Sequence, residues 1–407
     1  MIKRRIYMDY AAAAPELPVA RRAVARAAGF FGNPSSIHKD GVKAAAVLAE
    51  NRKSISDILG CSRDEIVFTG SGTESDNLAV MGVFKHARLS PDFAGKDVHI
   101  VTTMIEHPAI LEACRHLERV GAQVTYLSVG TDGLIDLKEL RAALRDETVL
   151  VSIGYSNSEI GVVQPIREIA KEIRHFKKTK ERQQHGGTYP LFHTDACQAA
   201  AYLELAVERL GVDLLSLNGT KLGGPRGIGL LYVRRGTPIE EIIYGGGQER
   251  ALRSGTENLP GIAGLAAALI EAHEEKDAEC ERLTHLRDQF ISEIKNQFQG
   301  ARINGSFVSR IPNNVHVSFP GISSELLVLE LDARGVSASA GSACSGAKDT
   351  GSEVLAALYG AEDRNEFGSV RFSFGIDTKM RDITSTLSAL RAIAKKYEPW
   401  KSTTRRV

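Results

Sequence analysis

The sequence predicts an α/β protein: a large doubly wound domain with a mostly parallel sheet, joined to a smaller α+β domain. Three observations predict it. Short β-branched or apolar runs alternate with longer helical patterns as far as Pro260, which argues for crossover units between parallel strands. Several of those helical patterns open on Ser, Asp or Pro and close on Gly, the usual punctuation of helix ends. Beyond Pro260 the texture changes to one long helical run followed by a strand, a helix and another strand, which reads as a separate α+β domain. The large domain is therefore expected at residues 15–260 and the small one at 1–14 together with 261–407.

In chain order, strands are expected at Glu65–Thr69, Val98–Met104, Gln123–Ser128, Thr148–Tyr155, Tyr189–Thr194, Leu214–Leu217 and Gly229–Val233. Helices are expected between them at Asp40–Gly60, Ser75–Ala87, Pro108–Val120, Asp136–Arg145 and Gln164–Lys171. In the second domain the pattern predicts a helix over Ala263–Gln297, a strand over Asn313–Phe319, a helix over Ser324–Ala333 and a strand over Ser369–Phe374. The charged, glycine-ended segment Lys177–Thr188 reads as a solvated loop, and the basic tail Trp400–Val407 as loosely ordered.

Composition limits the function classes. Of 407 residues, 43% are hydrophobic and 25% charged, the balance of a soluble globular protein. The formal net charge of +1 provides no field to draw nucleic acid or an anionic membrane, so small molecules and proteins are the expected partners. Five scattered cysteines with no C-x-x-C pair are too sparse for a disulfide framework and suit a reducing cytoplasm. The first ten residues lack an apolar signal region, and the most apolar run, Gly261–Ile270, is too short to span a bilayer.

The strongest local signal is Asp195-Ala-Cys-Gln198 after one strand, with Lys221 and a glycine-rich stretch, Gly223–Gly227, after the next. Pyridoxal 5'-phosphate (PLP) chemistry requires such a pair: a lysine to hold the aldehyde and a carboxylate to keep the pyridine nitrogen protonated. Taken singly, Asp195 reads equally well as a helix cap and Lys221 as a solvated loop lysine. Upstream, Gly70–Asn77 leaves a strand and opens a helix, so Gly72 and Thr73 are placed to bind a phosphate through backbone N–H groups. An ordinary capped turn has the same local sequence, and the spacing is neither a Walker loop nor a dinucleotide fingerprint.

His107 lies between a strand and a helix on the same expected edge as Asp195, where an imidazole can stack on an aromatic ring and move protons; the alternative is a capping histidine. Cys344 sits in Ser337–Gly346, a run of small residues suited to a swinging nucleophile, whereas Cys61, Cys114, Cys197 and Cys280 read as small core residues. Arg371 alternates with apolar neighbours on a strand and can clamp a carboxylate, or serve as a surface ion-pair residue. No metal site is expected.

Together these motifs closely resemble the cysteine desulfurases of the NifS/IscS kind, in the class V aminotransferase group of fold-type I PLP enzymes. The likeness runs from Tyr7–Ala12 through Thr69–Ala79, Glu159–Gln164, Gly245–Arg250, Arg253–Thr256 and Gly341–Cys344 to Arg371–Ser373. It implies Lys221 as Schiff-base lysine, Asp195 and Gln198 at the ring nitrogen and phenolic oxygen, and His107 as stacking and acid–base residue. It also implies Gly72 and Thr73 at the phosphate, joined by Thr256 from the neighbouring subunit of a homodimer. Arg371 would bind the substrate carboxylate, with Asn157 beside it, and Cys344 would carry a persulfide.

The chain departs from the family pattern where Asn-Asn-Glu becomes Asn157-Ser-Glu159 and Ser-Gly-His-Lys becomes Asn218-Gly-Thr-Lys221. Ser158, Asn218 and Thr220 are expected to face the cofactor still. The activity implied is conversion of L-cysteine to L-alanine with sulfur passed to an acceptor protein, such as an iron–sulfur scaffold or a tRNA-thiolation protein. The alternatives are a selenocysteine lyase, a diverged class V aminotransferase, or a non-catalytic homologue with a drifted cofactor shell.

Overall fold

The computed structural model describes residues 5–179, 188–341, 352–360 and 367–397. The strands among them, in chain order, are β1 (Ile6–Tyr7), β2 (Ile66–Thr69), β3 (Val98–Thr103), β4 (Ala122–Leu127), β5 (Thr148–Ser152), β6 (Leu191–Asp195), β7 (Leu214–Asn218), β8 (Gly229–Val233), β9 (Arg302–Ile303), β10 (Asn314–Pro320), β11 (Val336–Ser337) and β12 (Phe367–Ser373). Strands β2 to β8 form one sheet in the order β2-β8-β7-β6-β5-β3-β4. Its pairings are parallel except around β8, which runs antiparallel to both neighbours. Strand β2 therefore points the same way as β7. Gly229 stands where the two neighbours converge: a Cβ there would lie 2.6 Å from the Ser71 carbonyl carbon and 2.9 Å from the Leu217 oxygen.

Strands β3, β5 and β8 are buried along their whole length, as expected of a sheet covered on both faces. Successive residues feed two cores. Val101, Leu215 and Leu230 pack with the helix Ile166–Lys177, while Ile100, Leu214 and Leu231 pack with the helices Gly72–Leu89 and Pro108–Arg119. The free edge of β2 is closed by an ion pair rather than a strand. Glu249 accepts from Phe68 N at 2.9 Å, and Arg52, bound to Glu249, donates to the Ile66 carbonyl at 2.7 Å. Glu249, Arg250 and Ala251 all take positive φ (47°, 63° and 60°), a conformation costly for non-glycine residues that aims Glu249 at the strand.

A third core gathers Phe290, Phe298, Phe319, Phe372 and Phe374 around the three-stranded sheet β12-β10-β9. The single helix expected over Ala263–Gln297 is two helices, Leu259–Glu274 and Lys276–Gln297, broken at Glu275. The break lies in an acidic stretch and lets the two halves serve different cores. Ile262, Leu265 and Leu269 pack with the large sheet, whereas Leu283, Phe290 and Ile294 pack with the aromatic core. Strand β1 pairs with β11, so the chain start joins this second region. The sequence patterns also passed over the helices Pro18–Ala27, Glu353–Tyr359 and Met380–Lys396. Most of Lys177–Thr188 and all of Trp400–Val407 lie outside the described residues. Among the described residues, no helix is long and apolar enough to cross a membrane.

Candidate active site

Strands β2, β3, β5, β6 and β7 end at one edge of the sheet, and each delivers a predicted residue there. Gly72 and Thr73 open the helix after β2, and His107 caps the helix after β3. Asn157 and Ser158 turn after β5, Asp195 ends β6 with Gln198 beyond it, and Asn218 ends β7 with Lys221 beyond it. All of these line one cavity, together with Asp76, Ile105, Glu106, Gly154, Ser156, Gln164 and Cys197. Convergence at the carboxyl edge follows from the parallel topology, which puts every such turn on the same side.

Each side chain is held locally. Asp195 accepts the Cys197 N–H at 2.8 Å, and Asn218 accepts the Thr220 N–H at 3.0 Å, so both carboxyl-end residues cap the turns that follow them. His107 accepts the Ala109 N–H through Nδ1 at 3.1 Å, which fixes the ring at a helix start. Asn157 donates to the Ile105 carbonyl at 2.7 Å and accepts from the Glu159 and Ile160 N–H groups, tying the β5 turn to the β3 turn. Lys221 donates through Nζ to the Ala11 and Ala12 carbonyls at 2.8 and 2.6 Å, and Gln198 donates to the same Ala11 oxygen at 2.9 Å.

Three predicted residues stand apart from the cavity lining. Arg371 is buried and reaches it indirectly, donating to the Ser158 carbonyl at 2.8 Å and to Asp9 at 2.9 Å. Thr220 lies in the short turn Gly219–Leu222, its carbonyl accepting from Ala14 N at 3.1 Å. Thr256 is exposed on the surface. Cys344 lies outside the described residues. Arg371 is thus a buried residue, not the surface ion-pair residue that its alternating pattern also allowed.

Two carboxyl groups of the cavity wall, Glu106 and Asp76, are buried; Asp76 lies 3.8 Å from His193 Nε2, an imidazole whose pKa burial lowers to about 4. Burial pushes the Glu106 carboxyl up to about 7, against hydrogen bonds from Thr103 and Gly154. Burial also raises Asp76, and the nearby Asp195 charge adds to it; among the described residues Asp76 Oδ1 has no hydrogen-bond partner. Burial drives the Cys197 thiol well above its usual range, and it drives Cys61 and Cys114 to about 12 and Cys280 to about 11. The lining offers an amine, an imidazole, carboxyl groups and a helix N-terminus within one space. That set can hold a ligand bearing both a phosphate and a carbonyl group.

Sequence reasoning missed Asp76, Glu106 and the Ala11 and Ala12 carbonyls. Asp76 was within reach, because it follows Gly72 by one helical turn and so shares its face. Glu106 directly precedes His107 but leaves no separate pattern. The two carbonyls belong to alanines and carry no side-chain signal.

The profile of the family described as "Aminotransferase class-V" matches residues 6–385. This chain belongs to the class-V aminotransferase family. Among curated members it is 40% identical over 398 residues to "Cysteine desulfurase IscS" of Dictyoglomus turgidum, covering 97% of this chain and 96% of that one. To "Cysteine desulfurase IscS" of Histophilus somni (strain 2336) it is 41% identical over 404 residues, covering 97% and 94%. Among solved structures, a NifS-like protein superposes with a TM-score of 0.85 at 32% identity, covering 96% of this chain and all of the other. SspA, solved in complex with cysteine, superposes with a TM-score of 0.75 at 34% identity, covering 91% and 98%. The fold is that of fold-type I, as expected for this class-V family member, with the cavity at the carboxyl edge of its large sheet.

Proposed function

We propose that this class-V family member is a cysteine desulfurase that binds PLP and moves sulfur from L-cysteine to Cys344, releasing L-alanine. The observation that carries the reading is the convergence of Lys221, Asp195, Gln198, His107 and Gly72 on one cavity. The lining fits PLP in the chemistry of its groups: an amine for the aldehyde, a carboxylate for the ring nitrogen, an imidazole for the ring face, and a helix start for the phosphate. Gly72 keeps that helix start bare, since a Cβ there would lie 2.7 Å from Cys197 Sγ and 3.2 Å from Asn218 Cβ. Lys221, Asp195, Gln198 and His107 would hold the ring, with Ser158 and Asn218 beside it, and Gly72 and Thr73 the phosphate. Thr256 would complete the phosphate site from a second copy in a homodimer, a role compatible with its exposure. Thr220 would act through its turn.

When bound, PLP supplies the electron sink for the substrate's α-carbon. The protein's own groups do the rest. Arg371, with Asn157 nearby, orients the substrate carboxylate, and His107 and Lys221 hold and move protons above the sheet edge. The Cys344 thiolate attacks the substrate sulfur, so that L-cysteine and one enzyme thiol become L-alanine and one enzyme persulfide. The raised thiols of Cys61, Cys114, Cys197 and Cys280 support Cys344 as nucleophile. A cytoplasmic location and transfer to an iron–sulfur scaffold or a tRNA-thiolation protein complete the reading.

The test is alanine release and mass spectrometry of the protein after brief exposure to L-cysteine. Cys344→Ala should bind PLP as the parent does yet form neither persulfide nor alanine, and Lys221→Ala should lose the covalent cofactor adduct. Undiminished alanine release by Cys344→Ala, or sulfur added to another cysteine, overturns the assignment.

A further inference from the structure

Arg371 is almost fully buried, with 1% of its side chain exposed, and its guanidinium is only partly used. Nη1 donates to the Ser158 carbonyl at 2.8 Å and Nη2 to Asp9 Oδ1 at 2.9 Å, while Nε has no partner among the described residues. Asp9 is the acidic group that pairs with it among the described residues, and it does so through one oxygen rather than as a two-pronged clamp. Asp9 retains 18% exposure, so it forms the more open side of the pair. The backbone around it is anchored: Ser373 N donates to the Met8 carbonyl at 2.8 Å and Ala11 N to Ser373 Oγ at 2.9 Å. Two and three residues beyond Asp9, the Ala11 and Ala12 carbonyls hold Lys221.

From this geometry we infer that Asp9 is the internal counter-ion of Arg371, and that a substrate carboxylate competes with it for the guanidinium. A carboxylate meeting both Nε and an Nη would satisfy the orphan N–H and make the bidentate contact that Asp9 does not. Asp9 thus stabilises a buried cation while weakening substrate binding, because two anions share one arginine. It is a positioning residue for substrate selection and not a reacting group. The inference rests on the reading of Arg371 as the carboxylate-binding residue.

The test compares the parent enzyme, carrying its cofactor, with Asp9→Asn, which keeps the shape and one acceptor oxygen but removes the charge. Asp9→Asn should melt below the parent, and propionate should raise its melting temperature by more than the parent's. Propionamide, which lacks the charge, should raise neither protein's melting temperature. With L-cysteine as substrate, KM should fall by about threefold or more, without a matching rise in kcat. Asp9→Ser, smaller and also neutral, provides the same melts if Asp9→Asn fails to fold. Equal propionate effects on parent and variant, or an unchanged or raised KM, overturn the inference. A parent that does not turn over L-cysteine defeats the desulfurase reading instead, and the propionate melts then decide the role of Asp9 alone.

Discussion

Glu249 and Glu106 are both buried glutamates at the margin of the same sheet, yet their surroundings are opposite. Glu249, at the outer edge of β2, is matched by the Arg52 guanidinium and a strand N–H. Glu106, at the carboxyl edge, has a threonine hydroxyl, the Gly154 N–H and the neighbouring His107 imidazole in place of a guanidinium, and burial raises its carboxyl against all three. The first site is satisfied and serves the fold. The second keeps acidic groups in a cavity wall at a cost in stability, which a protein retains where a ligand makes use of them. Asp76, with its orphan oxygen, belongs to the second kind.

Breaking the satisfied site should have the largest effect. Glu249→Ala leaves Arg52, only 17% exposed, without its counter-charge and strips the cap from Phe68 N. The expected loss is about 3–5 kcal/mol, read as a shift in the urea midpoint. A loss below about 1 kcal/mol would mean that the edge pair behaves like a surface salt bridge.

The unsatisfied site should show itself through pH. The Glu106 carboxyl lies at about 7 in the folded protein against an ordinary 4.5, so between those values the folded state holds a proton that the unfolded state has released. Its contribution is fully present below pH 4.5 and is lost as pH rises to about 7, a difference of roughly 3 kcal/mol. Glu106→Gln should remove that slope. Denaturation curves of parent and variant from pH 4.5 to 8 measure it, and parallel pH profiles would contradict the assignment.

The smallest effect tests how tightly the cavity floor is packed. Gly72→Ala places a methyl against Cys197 Sγ and Asn218 Cβ, which should cost about 1–3 kcal/mol and weaken PLP binding. Adding Cys197→Ala removes the atom in nearest conflict and should recover part of the loss in a thermal melt. Full tolerance of Gly72→Ala alone would show that the floor yields.

Much of the candidate site was legible because parallel strands bring the residues after them to one edge, and Asp195, His107, Lys221 and Gly72 each follow a recognisable strand. What escaped had no pattern to display. The Ala11 and Ala12 carbonyls are backbone atoms, and Asp9 meets Arg371 across 362 positions of chain. The antiparallel course of β8 and the break at Glu275 escaped for a related reason. Neither leaves a mark in local hydrophobic periodicity, which reports that a segment is buried but not which strand or core it meets.

Composition, strand and helix periodicity and the order of motifs by themselves determined the α/β class, the carboxyl-edge location of the candidate site and the residue types that line it. These follow from local preferences, since a run of β-branched residues or a glycine before a helix acts over a few neighbours. Only the tertiary structure decided the pairing of Asp9 with Arg371, the closure of β2 by Arg52 and Glu249, and the raised carboxyls of Glu106 and Asp76. Those depend on which distant groups share a low-dielectric space, and the energy of a buried charge is set by that company rather than by its neighbours in sequence.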